Sequence, residues 1–173
     1  MRIGQLLAGL GMFCLVLLPL CRGDERGEKG GKPKMDATLA KLAAMIGGTW
    51  TNNNPKFLVE FKYDWAFKKK AIRGTGVIGK GSPQEMEVEA LFGFDPVRKV
   101  CYYLDIHGGN SVFQGTAKLD GDSVVLEFET VIGSPAKWRS VGKFPDRDTY
   151  AFKIFGWKDG QWKQKVERTL KRK

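Results

Sequence analysis

Several groupings of residues in this 173-residue chain have types and spacing that could do chemistry. Gly74-Thr-Gly-Val-Ile-Gly79 matches the Gly-x-Gly-x-x-Gly pattern of dinucleotide-binding turns. That pattern works only between a strand and a helix, where pyrophosphate meets free helix N–H groups. Here Ile72 and Ile78 place the glycines inside a strand, so they are expected to let the sheet bend or to leave room beside it. Cys101 and His107 supply a thiol and an imidazole, the types needed for nucleophilic catalysis. Six residues along one strand separate them by about 18–20 Å, too far to meet. Their face, shared with Tyr103 and Asp105, lies opposite Val100, Tyr102, Leu104 and Ile106 and is expected to face water. Glu85, Glu87 and Glu89 line one face of a strand, where solvated partners such as Lys62 or Arg73 suit them better than a metal ion. With no assembly of acid, base and nucleophile, the chain is read as a binding protein rather than an enzyme, with no catalytic residues and no metal site. No cofactor is predicted; His107, read as a polar loop histidine, is a weak haem-ligand candidate.

The elements that position these residues follow from periodicity. Leu39, Leu42, Ala43 and Ile46 fall at helical spacing, Asp36 can cap the start, and Gly47-Gly48 ends the segment. Thereafter the hydrophobic period is two. Turn signals stand at Asn52–Pro55, Lys68–Lys70, Lys80–Pro83, Asp95-Pro96, Gly108–Asn110, Asp120–Asp122, Gly133–Pro135, Pro145–Asp148 and Lys158–Gly160. Turns at this spacing join ten strands as successive hairpins. Val59–Phe67 carries apolar or aromatic residues at odd positions, and Met86, Val88, Ala90 and Phe92 oppose the three glutamates. Val124, Leu126 and Phe128, and Tyr150, Phe152 and Ile154, repeat the device. One-sided strands with no second helix predict an all-β, ten-stranded antiparallel up-and-down barrel with one short N-terminal helix. A barrel of that size is expected to be hollow.

A short helix followed by Gly48-Thr49-Trp50 resembles the opening of lipocalin and calycin barrels. Phe92-Gly-Phe-Asp-Pro96, and Gly160-Gln-Trp162 leading into Val166-Glu-Arg168, resemble a lipocalin-like family of uncharacterised bacterial exported proteins. The resemblance covers residues 36–173 and implies a cup for a small molecule, without transferring a ligand. It also implies that a late arginine closes the barrel base against the Trp50 indole, and Arg168 is the residue assigned to it. Trp162, Gln164, Val166, Arg168 and Leu170 share one face of the last strand. The rival role for Arg168 is to anchor a carboxylate, as in fatty-acid-binding barrels. The interior ligand would be apolar or aromatic, lined by Phe61, Tyr63, Tyr102, Phe128, Tyr150 and Phe152, with Arg168 or a tyrosine hydroxyl orienting its polar end. The helix, Lys68–Lys70 and Asp95-Pro96 crowd the closed end; the opposite turns, with Trp138 and Trp162, form the mouth.

Compartment is read from the N-terminus. Met1-Arg2 precedes an apolar run to Leu20, and Cys21-Arg22-Gly23 suits signal-peptide cleavage after Gly23. Lipidation at Cys21 and an uncleaved anchor are the rivals; Leu20 is too large for a good lipoprotein motif. Residues 24–35 form a polar linker before a barrel domain at 36–173, and the protein is placed in the periplasm or outside the cell. The formal net charge of +10 falls to +8 without residues 1–23, which remove Arg2 and Arg22. They also remove Cys14 and Cys21, so Cys101 has no partner for an internal disulfide. In an exported protein the basic last hairpin, ending Lys171-Arg-Lys173, suits an anionic membrane or polysaccharide surface, with no nucleic acid as partner. A packed, envelope-associated structural protein using that basic surface is the second functional reading.

Overall fold

The computed structural model of the protein describes residues 35–173. The expected signal segment, Cys21 and all but the last residue of the expected linker lie outside the described residues. Helix α1 (Ala37–Leu42) starts at Asp36, whose carboxylate accepts from the backbone N–H of Thr38 at 2.8 Å and Leu39 at 3.1 Å. It tightens into a 3-10 turn, Ala43–Met45, before Gly47 and Gly48 take positive φ. The tightening changes which residues pack inward. Leu39, Leu42 and Met45, three apart, are buried, while Ala43 and Ile46 are only half-buried.

Ten strands follow, joined at all nine expected turns: β1 (Trp50–Thr51), β2 (Leu58–Ala66), β3 (Ala71–Lys80), β4 (Met86–Asp95), β5 (Val100–His107), β6 (Ser111–Asp120), β7 (Ser123–Ile132), β8 (Lys137–Asp146), β9 (Thr149–Lys158) and β10 (Gln161–Arg172). Each pairs antiparallel with its sequence neighbours, and β1 bridges β2 and β10 to close the barrel. Closure runs through Trp50 and Thr51 alone, which pair with Phe61 and Glu60 on one side and with Arg172 and Lys171 on the other. The architecture is compatible with a calycin-like fold.

Strand alternation sets the wall. Val59, Phe61, Tyr63 and Trp65 of β2 point inward, as do Val88, Ala90 and Phe92 of β4 and Tyr150 and Phe152 of β9. The glutamates of β4 face outward, where Glu89 pairs with Arg73 through two hydrogen bonds of 2.8 and 3.0 Å. The Gly74–Gly79 segment lies within β3, and its glycines make room for rings. A Cβ on Gly74 would come 2.6 Å from the Tyr63 ring, and one on Gly76 would overlap Phe61.

In two strands the facing differs from that expected. In β5, Cys101, Tyr103 and Asp105 are buried while Tyr102, Leu104 and Ile106 are exposed, the reverse of the expected facing. Register decides it: residues paired across antiparallel strands share a face, and Tyr103 pairs with inward Phe92. In β10, a bulge at Lys165 puts one extra residue between Gln164, opposite Phe155, and Val166, opposite Ile154. A bulge reverses the facing of everything on one side of it. Trp162 therefore stands on the outside, 5.0 Å from Trp157 and beneath the Arg139 guanidinium at 4.6 Å, rather than on the face of Arg168.

The barrel base is closed by Arg172 and not by Arg168. Trp50 pairs directly with Arg172, and the Arg172 guanidinium lies 4.6 Å from the Trp50 ring centroid. Arg168 pairs with Phe152, four residues earlier, about 13 Å away along the strand. The expectation followed the correct end of the strand, but β10 continues to Arg172 on the same face. There the guanidinium donates to the carbonyls of Ala44, Ile46, Gly47 and Arg147. Those carbonyls end the helical segment and lie in the β8–β9 turn, so one side chain ties β10 to both.

Candidate functional site

Inside the barrel is a cavity of about 450 Å³. Its floor is the helical segment, where Leu42 and Met45 join Leu170. The strand ends carrying the turns after His107 and Lys158 lie at the opposite, mouth end. Burying apolar area there gives a ligand about 25 cal/mol per Å² removed from water.

Of the expected ligand contacts, Phe61, Tyr63, Phe128, Tyr150, Phe152 and Arg168 all line this cavity. Tyr102 does not: it lies on the outer wall, 43% exposed. Its place is taken by Tyr103, stacked on Phe92 at 5.0 Å and edge-on to Phe128 at 5.4 Å. Phe57, Phe113 and Trp138 extend the aromatic lining.

The reversal of β5 brings a polar group inside. The Tyr103 hydroxyl donates to Asp105 Oδ2 at 2.7 Å, and His107 Nε2 lies 2.9 Å from the same oxygen. With its proton on Nε2, the imidazole donates to the carboxylate and keeps Nδ1 as an acceptor. Phe113 packs edge-on against the ring at 5.0 Å. His107 is thus a residue of the cavity wall rather than of a solvated loop, and the nitrogen nearest Asp105 is already engaged. Asp105 Oδ1 is buried and has no hydrogen-bond partner among the described residues. A phenol, a carboxylate and an imidazole in sequence can orient a donor or hold a proton at the wall.

Two more phenols, Tyr63 and Tyr150, join this belt. Burial raises the pKa of all three tyrosines far above the usual 10.0, and the negative charge of Asp105 adds to it at Tyr63 and Tyr103. They are neutral donors under any ordinary condition. Cys101, on the same face nearer the closed end, has its thiol pushed up to about 12, chiefly by burial. A thiol so placed is a poor nucleophile. Arg168 also lines the cavity, and its guanidinium donates to the Glu167 carbonyl at 2.9 Å.

Alternation alone missed Tyr103, Asp105 and His107. The signal that finds them is the length of the β4–β5 turn. Four turn residues, 96–99, make Asp95 oppose Val100, and counting back puts Tyr103 beside Phe92.

Among the described residues no group of three or more His, Cys, Asp or Glu is arranged to hold a metal ion. A second hollow, an open groove of about 750 Å³, crosses the outer wall past Tyr102, Leu104, Gln114, Glu127 and Trp162. It is larger but faces solvent, so a molecule there would keep much of its hydration. No protein-family model matches the chain, and no curated protein matches it.

Proposed function

We propose that this chain is an exported binding protein whose barrel holds a small apolar or aromatic molecule. The observation that carries this reading is the interior cavity of about 450 Å³, aromatic on most sides and crossed by one polar belt. Pockets for small ligands have this composition: apolar walls supply affinity, and a few fixed polar groups orient the ligand. Export is supported by the basic start and apolar run of residues 1–23.

Titrating the purified full chain with the neutral fluorophore N-phenyl-1-naphthylamine tests the reading. A saturable, blue-shifted emission near one molecule per chain is expected. Ala90→Phe, which adds a ring to the inner wall, should weaken it, while Leu104→Ala on the outer wall should leave it unchanged. Emission that rises without saturation would contradict the proposal.

A further inference from the structure

We infer that the cavity selects ligands carrying a hydrogen-bond donor, an organic ammonium above all, through the free oxygen of Asp105. The inference rests on the interior-binding reading and adds the chemistry of the ligand's head group.

Asp105 is 9% exposed, and its two oxygens differ. Oδ2 already accepts from Tyr103 and faces His107, whereas Oδ1 is buried without a partner. An ionised carboxylate only accepts, so Oδ1 requires a donor. Leaving it unpaired in an apolar surround is costly, and a charge-assisted bond recovers the most. The surroundings favour a cation over a neutral donor. Tyr103, Phe128 and Phe92 form a contiguous aromatic stack beside the carboxylate, and ring faces attract cations.

Arg168 offers the opposite selection, for a carboxylate head. Its guanidinium has a backbone partner in Glu167 and is not left unpaired as Asp105 Oδ1 is. Among the described residues two cavity-lining polar atoms lack a partner, Asp105 Oδ1 and the indole Nε1 of Trp138, and only the first belongs to an ionisable group able to form a charge-assisted bond with a cation.

Competition against bound N-phenyl-1-naphthylamine on the unaltered full chain tests this, using 1-naphthyl compounds that end in ethylammonium, ethanol, ethyl or acetate. The ammonium should displace the fluorophore at about tenfold lower concentration than the ethyl compound, as expected for one charge-assisted hydrogen bond, and the acetate should be weakest. Asp105→Asn, with the fluorophore's own affinity remeasured in the variant, should bring the ammonium within about threefold of the ethanol. An acetate or ethyl compound as tight as the ammonium would overturn the inference while leaving interior binding intact, as would an Asp105→Asn variant that keeps the full preference of about tenfold for the ammonium over the ethyl compound. Failure of the fluorophore itself to bind would overturn both.

Discussion

The guanidinium of Arg172 stacks 4.6 Å from the centre of the Trp50 indole, joining the last residue of β10 to the first residue of β1. Trp50 is fully buried and its Nε1 donates to the Met45 carbonyl at 2.6 Å, so the pair fastens the helical plug to the barrel seam. The first and last strands of the barrel meet there.

Replacing Arg172 with alanine should therefore destabilise the protein by about 2–4 kcal/mol, from the lost cation–ring contact and the carbonyls left without a donor. Arg168→Ala should cost less than about 1 kcal/mol, because its recorded partner is a neighbouring backbone carbonyl. Urea unfolding of the two variants measures the difference. A larger loss for Arg168 would contradict the assignment of the latch.

The three buried tyrosines make a pH prediction. Their folded pKa values lie well above 10.0, so the unfolded chain releases protons that the folded chain retains. A group with a raised folded pKa gives stability that is complete below its unfolded value and falls as pH rises past it. Unfolding free energy should be steady with respect to these groups below about pH 10, then fall by up to about 4 kcal/mol per pH unit for three phenols. Denaturant titrations from pH 9 to 11, with absorbance near 295 nm, follow this directly. Tyr63→Phe should remove about one third of the phenols' share of the slope, to which the buried Cys101 thiol adds its own part from about pH 9.

The fold was largely legible because most strands pair apolar residues with charges at period two. Glu85, Glu87 and Glu89 leave no doubt about which way Val88 faces. β5 gave no such contrast. Tyr102, Leu104 and Ile106 are as apolar as an inner face should be, while the true inner face carries Asp105 and His107. Asp105 accepts from the Tyr103 hydroxyl and faces His107 Nε2, an arrangement that period-two counting does not contain. The bulge at Lys165 is equally hidden, since nothing in Gln164-Lys-Val166 distinguishes an extra residue from a regular one. Both features concern the site more than the fold, so the barrel was readable and its polar belt was not.

Gly142 is an inner-wall position where the Tyr150 ring lies against bare backbone, and a Cβ there would overlap the Tyr150 hydroxyl. Gly142→Ala should destabilise by about 1–3 kcal/mol through overpacking. Adding Tyr150→Phe should recover part of that loss, because the hydroxyl oxygen is the nearest clashing atom. Thermal or urea unfolding of the single and double variants gives the coupling; purely additive losses would show that the ring yields elsewhere.

The most direct test of a hollow, ligand-binding interior is methyl NMR of the full chain during titration with N-phenyl-1-naphthylamine. Val88, Leu126, Ile154 and Val166 line the cavity, whereas Leu104, Ile106, Val131 and Ile132 are exposed. Saturable shifts confined to the first set are predicted. Shifts centred on the second set, or none in the first at saturating fluorophore, would contradict the account.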